Sequence, residues 1–218
     1  MNKLLHWSME NKDESNDKAL DEKMSAEKMK DLDTKWIDVI LGKTDAVHIK
    51  EQFDDIKSAD ITQQRNLLMN LEEYCWDLDK ANALQDWRYL MELLKIVELK
   101  DLIYGLFGTI MQNNERAQKL FLNYVVWDDL FADFNQNEII VNKIMYCLSS
   151  VIPSHLPTVE EFKNNNGFSK TLDLLFRDIQ NSKIIYFLSK NKADVTLVLT
   201  KEHVQTLKRV ENGTALLE

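Results

Sequence analysis

The sequence predicts an all-α fold built from repeated groups of helices. Only 5 glycines and 2 prolines occur among the 218 residues, whereas a β-rich chain needs turn residues about every eight to twelve positions. The apolar positions in the middle of the chain also recur once, from 106 to 147 and onward, after 41 residues. The first set, Leu106, Phe107, Ile110, Phe121, Trp127 and Phe131, is matched by Cys147, Leu148, Val151, Phe162, Phe168 and Leu172. A period near forty residues in a helical chain is typical of stacked repeats of the armadillo or HEAT kind. We therefore expect a short armadillo-like solenoid whose concave face binds another protein.

The charge balance narrows the classes of partner. With a formal net charge of −9 and a pI near 5.0, the chain lacks the basic surface that binding to a nucleic acid backbone requires. No stretch approaches the roughly 18 apolar residues of a membrane span, and the amino end has too short an apolar core for a secretory signal. We expect a monomeric cytoplasmic protein that binds neither nucleic acid nor membrane. Cys75 and Cys147 lie in apolar helical patterns and should be buried free thiols.

Two regions of different composition divide the chain. Residues 1–35 are mostly polar or charged and should form a mobile segment, whereas residues 36–218 carry the helical repeats. Leu4, Leu5 and Trp7 form a small hydrophobic tag at the tip of the mobile segment. The tag either folds onto the repeat domain or serves as a short ligand for a groove of another protein, and the sequence leaves both possibilities open.

Cap residues and apolar spacing define the helices that precede the repeats. Asp45, or the threonine before it, should cap one helix. Asp60 opens a longer helix, in which the polar Gln64 interrupts the three-and-four spacing of apolar residues. A polar break is expected over residues 79–85, after which Asp86 should cap the next helix.

The first complete unit contains a helix that is apolar nearly all round. Residues 101–111 have this character, which indicates burial between neighbouring helices. Gly105 and Gly108 lie on one face of that helix, and each costs about 1 kcal/mol of helix propensity. A close helix crossing would compensate for this cost. The second unit repeats the plan from Ile139 onward.

The end of the chain predicts only a fragmentary third unit. Its helical segments cover residues 184–188, 195–199 and 203–210. The second segment, Val-Thr-Leu-Val-Leu, would pass for a strand in isolation. Within a helical array we expect it to be a helix.

No catalytic or metal-binding pattern accompanies these helices. The 4 histidines are far apart and lack acidic or thiol companions at ligand spacing, and the common metal, phosphate and dinucleotide motifs do not occur. The adjacent carboxylates Asp128–Asp129 and Glu160–Glu161 would point to different sides of a helix. We therefore predict a protein that is not an enzyme and needs no cofactor or metal.

Three blocks of the sequence resemble one known family. They are residues 1–8 (Met-Asn-Lys-Leu-Leu-His-Trp-Ser), residues 78–84 with Trp87, and residues 108–114 followed by Gln118 and Phe121. In these blocks the chain is similar to the armadillo-type nucleotide exchange factors of cytosolic 70-kDa heat-shock chaperones. This fungal family is related to the human heat-shock-protein-binding protein. The resemblance covers residues 1–8 and 60–172, and relative to the family the last repeats look compressed or missing.

The resemblance implies a function in protein folding, and in translation regulation, in the cytoplasm. Such factors clamp one lobe of the chaperone's nucleotide-binding domain in their concave face, so that ADP leaves, ATP binds and the client polypeptide is released. Their amino-terminal segment acts as a client mimic, a role that would fall here to Leu4, Leu5 and Trp7. The alternative is an armadillo-like scaffold that binds a linear peptide without exchange activity, and such a scaffold would not depend on the tag.

The same resemblance nominates six partner-binding residues. In armadillo scaffolds the last helix of each unit lines the concave face, and family members also use a basic residue in a later repeat. The nominated residues are Ala81, Asn82, Gln112, Asn113, Asn114 and, as the basic residue, Lys183. A large basic residue in place of the small Ala81 would block docking. Asn113 and Asn114 have a second interpretation, because they could simply cap a helix.

Overall fold

The computed structural model describes residues 45–84, 86–177 and 181–208, and the regular structure in these ranges is helical. The α-helices are α1 Asp45–Ser58, α2 Ile61–Tyr74, α3 Leu78–Ala83, α4 Trp87–Leu93, α5 Lys100–Met111, α6 Glu115–Tyr124, α7 Trp127–Ala132, α8 Glu138–Val151, α9 Leu156–Asn164, α10 Gly167–Arg177, α11 Ser182–Lys190, α12 Lys192–Val198 and α13 Lys201–Leu207. Short 3-10 turns, Val97–Leu99 and Asp133–Asn135, precede α5 and follow α7. The predicted all-α helical-repeat class is confirmed. The mobile segment 1–35, its hydrophobic tag and the predicted boundary at residue 36 lie outside the described residues.

Three units of three helices form the body of the domain. They are α3–α5, α6–α8 and α9–α11, and the last helix of each unit packs against the last helix of the next. Because α2 also packs against α5, helices α2, α5, α8 and α11 form one row. All twelve residues that define the 41-residue period are buried. The sequence period therefore reports a true structural repeat with the three-helix plan of armadillo proteins.

A continuous aromatic core runs through the units. Trp87 of α4 stacks on Phe107 of α5 with ring centroids 5.3 Å apart. The chain of ring contacts continues from Phe107 through Phe121, Trp127, Phe162 and Phe187. Such pairs add to the stabilisation that burial of the rings already provides, so the units are joined by one core.

The predicted close helix crossing lies at Gly108, where α5 meets α8. A Cβ atom at Gly108 would stand 2.3 Å from Cδ1 of Tyr146, a distance that no pair of carbon atoms tolerates. At Gly105 the nearest atoms are instead the flexible ends of Lys143 and Glu72, with the Lys143 Nζ at 2.9 Å. Gly108 is thus the position at which the two helices require a residue without a side chain.

Two predictions around α3 are wrong. The expected polar break over residues 79–85 is largely the helix α3, because the carboxylate of Asp77 caps it by accepting a hydrogen bond of 2.9 Å from the first turn. Asp86 does precede α4, but its carboxylate makes no capping bond. It instead accepts a hydrogen bond of 2.8 Å from Lys57 of α1, so it joins two helices.

Other local predictions are confirmed. Asp60 caps α2 by accepting from the backbone of Gln63 at 2.9 Å. The polar Gln64 is buried and donates to the carbonyl of Ile56 at 2.9 Å, which explains a polar residue on an apolar stripe. The segment that could pass for a strand lies mainly in α12, and Cys75 and Cys147 are buried free thiols. Within the described ranges, no helix is both long and apolar enough to cross a membrane.

Candidate protein-binding surface

The exposed side of the helix row contains a cleft at the carboxyl end of α5. The cleft has a volume of about 540 Å³ and lies among α2, α3, α5 and α8. It is lined by Cys75, Trp76, Leu78, Ala81, Thr109, Ile110, Gln112, Asn113 and Tyr146. We call it the Trp76 cleft.

Large apolar side chains stand exposed beside this cleft. The indole of Trp76, just after α2, is 74% exposed, and Leu78 at the start of α3 is 51% exposed. Met69, which precedes Trp76 by seven residues and therefore lies on the same stripe of α2, is also exposed. An exposed apolar patch beside a cleft is typical of a protein-binding site, and tryptophan is among the residues that most often dominate such interfaces.

A polar network spans three helices of the row next to the cleft. Thr109 of α5 donates its hydroxyl proton to Glu72 Oε1 of α2 at 3.0 Å. The Thr109 hydroxyl lies 3.3 Å from the Tyr146 hydroxyl of α8, and since Thr109 has already donated its proton, Tyr146 is the donor in this contact. Lys143 of α8 places its Nζ 3.9 Å from the same Glu72 oxygen. The network holds α2, α5 and α8 in register beneath the exposed surface.

Trp76 was missed by the sequence prediction, although the sequence carries a signal for it. The apolar stripe of α2 runs through Leu68, Leu71 and Cys75, all of which are buried. Trp76 falls four residues after Glu72, on the polar stripe of the same helix. A tryptophan at a polar phase of an amphipathic helix indicates a residue with a partner outside the domain.

Three of the nominated residues line the Trp76 cleft. Gln112 and Asn113 are exposed at its edge, and Asn113 adopts the left-handed conformation (φ 53°) that ends α5. Asparagine tolerates this conformation better than most residues. Ala81 also lines the cleft but is only 4% exposed. A large basic residue at Ala81 would therefore disturb the packing of α3 before it could meet a partner.

The other three nominated residues do not line this cleft. Asn114 is buried, and its Oδ1 accepts a hydrogen bond of 3.2 Å from the backbone of Ala117, so the capping interpretation describes it. Asn82 is half-buried in α3, and Lys183 is exposed near the start of α11. The structure therefore does not bring the six residues together in one site.

The reactive groups near the cleft are not arranged for chemistry. Burial raises the pKa of the Cys75 thiol to about 12, so this thiol stays protonated at neutral pH and is a poor nucleophile. Among the described residues, no three His, Cys, Asp or Glu side chains are grouped to hold a metal ion.

A second cleft of about 390 Å³ lies on another side of the domain, between α4, α6 and α7. Its buried polar groups satisfy one another, because the carboxylate of Asp133 accepts hydrogen bonds from Lys100 and from the Tyr104 hydroxyl. The cleft thus contains a closed structural network and leaves no polar group poised for a ligand.

Comparison with known proteins is informative once this geometry is in view. Residues 1–84 match the family described as "Nucleotide exchange factor Fes1". The protein named "Hsp70 nucleotide exchange factor FES1" of Coccidioides immitis is 28% identical over 174 residues, which cover 75% of this chain and 82% of the relative. No solved structure matches the chain at a significant level.

Proteins of the same name from two yeasts are also similar. The relative from Candida albicans is 30% identical over 203 residues, 88% of this chain and 64% of its own length. The relative from Saccharomyces cerevisiae is 26% identical over 182 residues, 77% of this chain and 60% of its own length. The chain thus spans less than two thirds of these two relatives. From the matched family and these relatives we conclude that the chain belongs to the Fes1 family of nucleotide exchange factors.

Proposed function

We propose that this protein is a nucleotide exchange factor of a 70-kDa heat-shock chaperone. The observation that carries the proposal is its family membership, together with relatives that are named Hsp70 nucleotide exchange factors. In this proposal the row of α2, α5, α8 and α11 docks on one lobe of the chaperone's nucleotide-binding domain. The Trp76 cleft is the centre of the contact, with Gln112 and Asn113 at its edge.

The proposed mechanism is differential binding. The factor favours the arrangement of the chaperone lobes from which ADP escapes over the closed arrangement that retains it. A thousandfold acceleration of ADP release requires about 4 kcal/mol of such preference, which an interface of ordinary size can supply. The factor contributes no reacting group, and in this sense we infer that it is not an enzyme.

Further parts of the proposal concern residues away from the cleft. The tag of Leu4, Leu5 and Trp7 would occupy the chaperone's client site and assist client release. Asn82 and Lys183 would contact the partner beyond the cleft, on α3 and α11. The protein would act as a monomer in the cytoplasm.

The test is stopped-flow release of a fluorescent ADP analogue from a 70-kDa heat-shock chaperone. We expect saturable acceleration by the full chain. Trp76→Ala should weaken the half-saturating concentration at least tenfold, because the variant loses a large exposed contact. Leu197→Ala is the matched control, since Leu197 is 81% exposed on α12, outside the row, and its loss should change nothing.

The second candidate function is a peptide-binding scaffold without exchange activity. The exposed apolar patch beside the Trp76 cleft would serve such a scaffold equally well. Binding to the chaperone without acceleration of ADP release would favour the scaffold. The absence of any binding would contradict the proposed partner.

A further inference from the structure

A seven-residue pattern is repeated on the last two helices of the row. Residues 143–149 of α8 read Lys-Ile-Met-Tyr-Cys-Leu-Ser, and residues 183–189 of α11 read Lys-Ile-Ile-Tyr-Phe-Leu-Ser. The lysines are separated by 40 residues (143 to 183), and five of the seven positions are identical.

The two copies have the same orientation in the fold. The apolar positions of the pattern are fully buried in both helices; they are Ile144, Cys147 and Leu148 in α8 and Ile184, Phe187 and Leu188 in α11, each 0% exposed. The Lys and Tyr of each copy are three residues apart and therefore neighbours on one helix face. With the buried positions matched, each Lys–Tyr pair must face the outer side of the row.

On α8 both members of the pair are engaged by the preceding helices. The Lys143 ammonium meets the Glu72 carboxylate of α2 at 3.9 Å, and the Tyr146 hydroxyl meets the Thr109 hydroxyl at 3.3 Å. Thr109 in turn donates to Glu72. This copy shows which chemistry satisfies the pair: a carboxylate that receives the positive charge directly and the tyrosine hydroxyl through a further hydroxyl.

On α11 the equivalent pair is open. Lys183 is exposed, Tyr186 is 55% exposed, and neither the ammonium nor the phenol hydroxyl has a hydrogen-bonding partner among the described residues. The ammonium of Lys190 lies 5.4 Å from the centroid of the Tyr186 ring, which adds a second positive charge near the pair. Two hydrogen-bond donors and two positive charges therefore converge on one exposed patch of an otherwise acidic protein.

We propose that Lys183 and Tyr186 receive an Asp or Glu side chain of the partner, as the pair on α8 receives Glu72. This inference rests on the proposed function for the identity of the partner, and it adds Tyr186 as a contact and a carboxylate as the group that meets the pair. A carboxylate fits because it accepts from an ammonium and a hydroxyl together. A nucleic acid is a poor alternative, because the chain carries a net charge of −9 and would repel the phosphate backbone.

The position of the carboxylate can be tested by zero-length cross-linking. A carbodiimide joins a lysine amine to a carboxylate as an amide with loss of water, and only when the two groups are in contact. In the complex of the full chain with the chaperone, we expect a cross-linked peptide that contains Lys183 and an Asp or Glu of the chaperone's nucleotide-binding domain. A link from Lys183 to an acidic residue of its own chain, or a reactive but unlinked Lys183, would overturn the inference.

The energetic role is tested by the equilibrium affinity of full-length variants for the chaperone. Lys183→Glu should weaken binding at least tenfold and Tyr186→Phe about threefold to tenfold. The matched controls are Lys50→Glu on α1, an exposed lysine with the same change of charge, and Tyr124→Phe on α6. Both should bind within twofold of the parent.

The failure of this inference is distinguishable from that of the proposed function. If the parent chain binds the chaperone and the Lys183 and Tyr186 variants bind as tightly as the controls, only the carboxylate contact is overturned. If the parent chain does not bind, both fall. A defect in Lys183→Glu that Lys50→Glu shares would reduce the effect to net charge and would also overturn the specific contact.

Discussion

At the scale of single residues, Ala81 and Gln112 differ in burial although both line the Trp76 cleft. Ala81 is 4% exposed, whereas Gln112 is exposed. We predict that Ala81→Arg destabilises the fold by about 3 kcal/mol or more, because a charged side chain would enter a packed interior. Thermal and urea unfolding of the variant measure this cost.

The partner of this experiment is Gln112→Arg. It places the same side chain at the exposed edge of the cleft, so its unfolding midpoint should match that of the parent while binding to the chaperone weakens. If Ala81→Arg unfolded like the parent, the packing around α3 would be looser than the structure has it. A loss of binding in Ala81→Arg alone would not locate the interface.

These residues also mark the limit of sequence reasoning about the site. Gln112 and Asn113 were predicted from the end of a strongly apolar helix, and they do lie at the cleft. Ala81 was predicted as an exposed small residue because residues 79–85 looked like a polar break. Its burial depends on α3, a six-residue helix whose apolar contacts come from distant parts of the chain. Short helices of this kind are fixed by tertiary packing rather than by local propensity.

At the scale of helices, the crossing of α5 and α8 makes a sharp distinction between two glycines. We predict that Gly108→Ala lowers the free energy of unfolding by about 1–3 kcal/mol, because the new methyl group would overlap the Tyr146 ring. Gly105→Ala should be neutral or stabilising by up to about 1 kcal/mol, since only flexible side-chain ends lie near it and alanine favours the helix. Equal effects of the two substitutions in chemical unfolding would contradict the close crossing.

The packing of α2 on α5 predicts a dependence of stability on pH. Arg65 donates two hydrogen bonds, of 3.0 and 2.9 Å, to the carboxylate of Asp101. Burial raises the pKa of Asp101, but the hydrogen bonds and charge of Arg65 outweigh burial, so the pKa lies below its usual value. A lowered carboxyl pKa stabilises the fold above the pKa of the unfolded chain, about 3.9, and this contribution is lost as pH falls through the folded pKa.

We therefore expect Asp101→Asn to cost about 1 kcal/mol of unfolding free energy at pH 7, a value reduced by the partial exposure of Arg65. The difference from the parent should shrink below about pH 4. Asp128→Asn is the control, since the Asp128 side chain is 92% exposed and 4.0 Å from its only charged neighbour. A difference that stayed constant between pH 7 and pH 3 would show that the carboxylate charge is not the source of the effect.

The helices themselves were predictable where their apolar pattern was long. The buried helix from residue 101, the cap at Asp60 and the helical nature of residues 192–198 all followed from spacing, caps and context. Asp86 was not predictable in its role, because an aspartate before a helix normally caps it. Here Lys57 of a distant helix competes for the carboxylate, and a local pattern cannot reveal that competition.

At the scale of the whole molecule, the period of 41 residues predicted the repeated units but understated the third. Residues 184–188 looked like a fragment, yet α11 completes the row on which the domain is built. The stronger signal was the repeat of residues 143–149 at 183–189, which has a spacing of 40 residues (143 to 183). A shift of one residue between units hid it, because a turn that loses one residue changes the period without changing the burial phase of the helix.

The row and the amino-terminal tag should perform separable functions if the protein is an exchange factor. We predict that replacing Leu4, Leu5 and Trp7 together by serine leaves ADP release unchanged, because docking depends on the row. Release of a labelled client peptide should slow, because serine cannot supply the apolar contacts that a client site recognises. Both rates can be followed by stopped flow on the same chaperone preparation. Trp76→Ala provides the complementary variant, which should slow both processes together. An equal loss of both rates in the tag variant would place the tag within the clamp, and an unchanged client rate would remove its role as a client mimic.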